Sequence, residues 1–171
     1  MLNLSNRENI SKLREQFFSD QLNYTDLLVW ESSKLNFTSN RVIHDDPFEI
    51  INSTKGACGE FTILYVAACL ANNISARILI PAQLIPNVID HAWAEVNPSN
   101  DGKTWIHVDP SDSCVNIQKG ATVNDLFGST IDNTSKYRDN DYKMVLAFQI
   151  TQDGQIVIVD RTNAYSPTKL D

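Results

Sequence analysis

Nothing in this sequence is long and apolar enough to span a membrane. No run approaches the roughly 20 apolar residues that a crossing helix needs. The segment from Met1 to Arg14 is polar and mixed in charge, without the apolar centre of a secretory leader. The expectation is a cytoplasmic protein. Basic clusters are missing too. Lys and Arg number 14 against 21 Asp and Glu, a formal net charge of -7. Such a surface repels phosphate backbones and anionic lipid, so neither nucleic acid nor membrane is an expected partner. Cysteine is scarce and odd in number, at Cys58, Cys69 and Cys114. An odd count without a leader argues against a disulfide framework, so each thiol is core, ligand or nucleophile. There is no C-x-x-C, no H-E-x-x-H and no short-spaced Cys/His pair, which excludes a structural zinc. A Gly-rich phosphate loop and a dinucleotide fingerprint are also lacking. No metal or cofactor is expected.

What is present is ordinary for a globular chain. Hydrophobic residues make up 42% and charged residues 20% of 171, ample for one domain with a closed core. Apolar positions at helical spacing over residues 8–30 predict two helices, broken at Asn23-Tyr24-Thr25 with Thr25 as the new N-cap. Residues 36–50, holding His44, Asp45, Asp46 and Pro47, read as a loop. Phe61 to Leu70 reads as a buried helix beginning near Cys58 and ended by Asn72-Asn73.

Strands follow. Ala76 to Ile80 is a short apolar run closed by Pro81, and 81–90 reads as a loop. His91 to Val96 and Thr104 to Val108 flank a polar turn and predict a hairpin. Residues 111–140 are polar, with a short helix near Asn124 to Phe127. Lys143 to Ile150 and Gln155 to Asp160 predict a second hairpin around Asp153-Gly154. The last ten residues read as frayed. Helices first and antiparallel strands later make an α+β class in a single domain, residues 1–171.

Three short motifs carry chemistry. In Gly56-Ala57-Cys58-Gly59-Glu60 a thiol sits between glycines at a helix start. The glycines let a substrate backbone come close, and the helix N-terminus favours thiolate, the form that attacks carbonyl carbon. The second and third motifs, His91-Ala92-Trp93-Ala94-Glu95-Val96 and Trp105-Ile106-His107-Val108-Asp109-Pro110, lie on the paired strands. His91 opens one strand and Asp109 closes its antiparallel neighbour, so both lie at one end of the hairpin. A carboxylate there can fix the imidazole tautomer and stabilise the imidazolium.

Each residue also has a plainer reading. Cys58 could be a small buried core residue, although it precedes the apolar helix rather than lying inside it. Cys69 lies within that helix and reads as packing; Cys114 reads as a bystander. Asp109 before Pro110 could be a turn residue, and His91 a satisfied strand histidine. His107 competes with His91 as the base and ranks second. His44 reads as a solvated loop residue.

At these motifs the chain resembles the transglutaminase-like superfamily of cysteine enzymes, over about residues 50–112. The matching elements are Gly56 to Glu60, Ala76-Arg77, His91 to Val96 and Trp105 to Pro110. Within the superfamily it is most similar to peptide:N-glycanases, through Cys58-Gly59-Glu60, Asp90 to Val96 and Trp105 to Pro110. Tyr142 to Phe148 and Val157 to Thr162 resemble that family's closing hairpin. The resemblance implies a papain/transglutaminase-like core with Cys58, His91 and Asp109 as a triad. It also implies that Trp93, Glu95 and Trp105 line a substrate cleft supported by Arg77, although Trp93 and Trp105 read equally as cross-strand aromatic packing and Arg77 as a structural partner of Glu95 or Glu60. The glycanases carry two upstream zinc-binding C-x-x-C pairs, whereas residues 1–57 here contain no Cys.

Thiol-based acyl transfer is the expected mechanism, with the backbone N–H of Cys58 as one oxyanion donor and Trp30 as a candidate second. Three outcomes stay open. One is hydrolysis of an amide, in a glycosylated asparagine side chain or a peptide bond. Another is transfer to an amine. The third is a binding module that keeps the cleft without catalysis. The expected partner is a protein, peptide or glycopeptide substrate, with the oligomeric state undetermined.

Overall fold

The computed structural model of the chain describes residues 7–40, 44–81, 91–138, 142–151 and 153–166, without the side chains of residues 136 and 138. The two N-terminal helices are present, α1 at Arg7–Phe17 and α2 at Tyr24–Ser32. Their break falls where predicted, but the cap is Asn23 rather than Thr25. The extended backbone of Asn23 aims its Oδ1 at the N–H groups of Thr25 and Asp26, at 3.0 and 2.8 Å.

The segment read as a loop over 36–50 is more ordered than that. Asp46 caps α3, Pro47–Ser53, accepting from the N–H of Phe48 at 2.8 Å. Proline at the first helical position suits this start, since it has no N–H to lose. Ile50 is fully buried. Two-residue strands β1 (Asn36–Phe37) and β2 (Lys55–Gly56) pair in parallel just before the central helix. Elements this short leave no periodic signal in a sequence.

The central helix α4 spans Cys58–Ala71 and is buried nearly all round, as its Ala- and Leu-rich composition predicts. It ends at Asn72, and Asn73 takes the left-handed conformation (φ 59°). Beyond it lie β3 (Ser75–Pro81), β4 (Trp93–Asn97), β5 (Ile106–Val108), β6 (Val145–Ile150) and β7 (Ile156–Asp160). They form one antiparallel sheet in the order β5-β4-β3-β6-β7. Both hairpins pair as the alternation indicates. The central position of β3, with Ile78 opposite Ala94 on one side and Phe148 on the other, is a tertiary fact. The predicted loop over 82–90, with Pro86 and Asp90, lies outside the described residues.

Two further readings need correction. The polar stretch 111–140 holds not one short helix but α5 (Pro110–Gln118), α6 (Val123–Leu126) and α7 (Ser135–Arg138). The tail is not frayed at its start either: α8 (Thr162–Tyr165) places Tyr165 with no exposed surface. Both were obscured because, among the described residues, α6, α7 and α8 each bury a single large side chain and α5 buries Pro110, Ser111, Ser113 and Cys114, which carry no apolar period.

The sheet has two dissimilar faces. Ala76, Ile78, Ala94, Val96 and Val108 pack on α4 and the N-terminal helices. On the other face Leu79, Trp93, Val145 and Ala147 pack with Tyr137, Tyr142 and Tyr165. Among the described residues no helix is long and apolar enough to cross a membrane.

Candidate active site

The site starts with the first turn of α4. Ala57 occupies the cap position and has no side-chain acceptor, so Glu60 reaches back instead, its Oε2 accepting the Ala57 N–H at 2.8 Å. That return path needs Gly56: a Cβ there would stand 2.7 Å from the Glu60 Cβ. Gly59 is different, since a Cβ on it would meet nothing within 4 Å. The half-buried Cys58 thus sits at a helix N-terminus with unfilled space beside it.

His91 and Asp109 come from the hairpin. His91 Nε2 lies 2.8 Å from Asp109 Oδ2, with the imidazole partly exposed and the carboxylate fully buried. Asp109 is also the N-cap of α5, its Oδ1 accepting from Ser111 Oγ at 3.0 Å and the Asp112 N–H at 3.2 Å. The two oxygens of Asp109 thus divide between capping α5 and bonding His91. Since Nε2 faces Asp109, Nδ1 is the ring atom left for Cys58, with which His91 also hydrogen-bonds.

The electrostatics follow. Burial opposes charge on all three groups, and their mutual contacts overcome it. For Cys58, the hydrogen bond and positive charge of His91, with the Ala92 backbone N–H, bring the thiol below its ordinary value. Asp109 and Cys58 together raise His91 to about 10. The His91 bond holds Asp109 well below the usual carboxylate range. The shifts of Cys58 and His91 run in the direction that favours a thiolate–imidazolium pair beside a carboxylate.

Residues 16–110, more than half of the chain, match the family model for the transglutaminase-like superfamily. The chain belongs to that superfamily. A peptide-N(4)-(N-acetyl-beta-glucosaminyl)asparagine amidase of Drosophila melanogaster is 33% identical over 72 residues, covering 42% of this chain and 10% of the relative. The enzyme of the same description from Arabidopsis thaliana is 33% identical over 67 residues, covering 39% of this chain and 8% of the relative. The chain thus matches a tenth or less of these relatives. In fold it resembles a chain from a solved structure of the Rad4/XPC nucleotide excision repair complex, at a TM-score of 0.55 and 12% identity. That likeness covers 95% of this chain and 45% of the other, and it concerns the fold alone.

This transglutaminase-like chain holds Trp93, Arg77 and Glu95 inside the sheet and leaves Trp105 half-buried. Trp93 is fully buried, and Arg77 and Glu95 are nearly so. Arg77 Nε donates to Glu95 Oε2 at 2.7 Å, Arg161 Nη2 to Glu95 Oε1 at 2.9 Å, and the Tyr165 hydroxyl to the same Oε1 at 2.9 Å. Glu95 is thereby held ionised against the cost of burial. The Arg77 guanidinium lies 3.8 Å over the ring of the half-buried Trp105. Arg77, Glu95, Arg161, Tyr165 and Trp105 form an internal tie of the sheet, because β3 and β4 set Arg77 directly opposite Glu95.

Other candidates are also relocated. His107 is buried, its Nδ1 3.1 Å from the Tyr165 hydroxyl, among Trp93, Tyr137 and Tyr165. Trp30, partly buried, packs against Phe17 and Phe18 in the helical layer, at 5.9 and 4.8 Å between ring centres. Cys114 is no bystander: it is fully buried in α5, its Sγ 3.5 Å from the Leu28 carbonyl oxygen and from Glu31 Oε2. Cys69 is core as read. His44 sits 3.3 Å from Glu49. Among the described residues no three His, Cys, Asp or Glu gather to hold a metal ion.

One residue at the site carries no motif. Tyr137 donates its hydroxyl to Asp109 Oδ2 and stacks its ring on His91, with ring centres 6.0 Å apart and planes 7° from parallel. Its only trace in the sequence was as one of the two aromatics, with Phe127, in the polar stretch 111–140.

Proposed function

We propose that the chain is a thiol-dependent amide hydrolase that acts through Cys58, His91 and Asp109, with the side-chain amide of a glycosylated asparagine as its substrate. The observation that carries this reading is His91, held by Nε2 on a buried carboxylate and hydrogen-bonded also to the thiol at a helix start. The likeness to asparagine amidases over the motif segment supports the choice of amide.

The steps follow from the geometry. The Cys58 thiolate adds to the amide carbonyl carbon, and the backbone N–H of Cys58 donates to the developing oxyanion. The Nδ1–H of His91 protonates the leaving nitrogen as the C–N bond breaks, which gives a thioester and a glycosylamine. Nδ1, now unprotonated, takes a proton from water as the water attacks the thioester. The products are an aspartate side chain and the regenerated thiol. Asp109 keeps its charge throughout and holds the imidazole in one tautomer. The space beside Gly59 is where the substrate approaches.

Incubating the chain with a denatured N-glycoprotein tests the proposal. Release of intact glycan with conversion of Asn to Asp, by the wild type and not by Cys58→Ala, is the expected result. No release from a folded chain whose Cys58 is still hyper-reactive would overturn the glycosylated-asparagine substrate and point to peptide amides or amine acceptors.

A further inference from the structure

We propose that Tyr137 is a positioning residue for the His91–Asp109 pair, held in place from outside the segment that carries the motifs. The inference rests on the reading of Cys58, His91 and Asp109 as a triad.

A carboxylate has about four lone-pair directions to fill. On Asp109, Oδ1 takes Ser111 Oγ and the Asp112 N–H, while Oδ2 takes His91 Nε2 and the Tyr137 hydroxyl. With four donors the plane of the carboxylate is fixed, and with it the direction along which His91 is held. Removing the hydroxyl leaves Oδ2 one donor short in a fully buried place, where no water replaces it without rearrangement. The carboxylate is then held by three donors instead of four, and the imidazole on the same Oδ2 loses part of its anchoring.

The ring contributes separately. It lies parallel to His91 and blocks the imidazole from tilting on that side. It is itself wedged against Trp93 and His107, at 4.6 and 4.7 Å between ring centres, and edge-on to Tyr165 at 6.1 Å. Burial beside Asp109 pushes the Tyr137 hydroxyl far above its ordinary value, so it stays a donor across the working pH range. Tyr137 and Tyr165 both follow residue 110, where the superfamily match ends. The later part of the chain therefore sets the precision of a site whose reacting groups come from the earlier part.

The test is iodoacetamide alkylation of Cys58 against pH on the full chain, for the wild type, Tyr137→Phe and Tyr137→Leu, with Cys58→Ala giving the background. Tyr137→Phe keeps the ring and should melt near the wild type. Its alkylation profile should move up in pH, giving on the order of tenfold slower reaction at mildly acidic pH. Tyr137→Leu should shift it further; if that variant does not fold, Tyr137→Phe decides alone. A Tyr137→Phe profile that superimposes on the wild type overturns the proposal, even if its melting temperature falls, because a purely structural role moves only the latter. A wild type whose Cys58 reacts like an ordinary thiol overturns the triad reading and this proposal with it.

Discussion

His91 and Asp109, 18 residues apart, meet at 2.8 Å because of a strand register. Ala94 lies opposite Val108 in the β4–β5 pair, so extending that register outward sets Asp109 across from Trp93, with His91 just beyond. Asp109→Asn should reduce the proposed amide cleavage on the order of 10⁴-fold, since an amide neither fixes the same tautomer nor stabilises imidazolium. The α5 cap should survive, because Asn caps about as well as Asp. Rates measured beside circular-dichroism melts check both halves.

The ion pair sets a pH window. Cys58 ionises below its ordinary value and His91 keeps its proton to about 10, so cleavage should rise on the acid side and fall as His91 deprotonates near 10. Stability follows by linkage. His91 is raised, so its contribution is full below its unfolded value of about 6.5 and is lost as the pH climbs towards about 10. Asp109 is lowered, so its contribution is present above about 3.9 and is lost as the pH falls below that. Melting temperatures of the wild type, His91→Gln and Asp109→Asn across pH should diverge with those signs.

The cysteines should separate cleanly. In the folded chain iodoacetamide should modify Cys58, whereas Cys69 and Cys114, whose thiols burial pushes up and away from ionisation, should react only after denaturation. Peptide mapping by mass spectrometry reads this directly. Labelling of Cys69 at the rate of Cys58 would contradict the packing of α4.

The sheet tie is a matter of stability. Glu95→Ala leaves the buried Arg77 without its carboxylate and should cost about 3–5 kcal/mol, measured by urea denaturation. Arg161→Ala, whose side chain is about a third exposed, should cost less.

The two glycines beside the nucleophile should respond oppositely. Gly56→Ala collides with Glu60 and breaks its bond to the Ala57 N–H, so it should destabilise the chain and lower thiol reactivity. Gly59→Ala meets nothing and should strengthen α4 by up to about 1 kcal/mol, while a larger residue, as in Gly59→Trp, should raise KM by filling the approach to Cys58. Denaturation midpoints and steady-state kinetics distinguish the pair.

The sequence by itself determined the parts that depend on near neighbours. Alternation and turn residues specified both hairpins, the apolar run specified α4, and the hairpin register was enough to bring His91 to Asp109. Packing for Trp93 and an Arg77–Glu95 pair were legible as alternatives to a cleft, but the choice between them was not, because it depends on contacts far away in the chain. Trp93, Glu95 and Arg77 carry motif positions, yet β3 enters the centre of the sheet and closes them between β4 and the tyrosines of the C-terminal segment. Tyr137 has no motif at all. It reaches Asp109 across 28 residues only because α7 packs back over the open face of the sheet. Local backbone preference writes periodicity into a sequence; the burial of one face against a distant segment leaves no such period, and tertiary packing alone decided it.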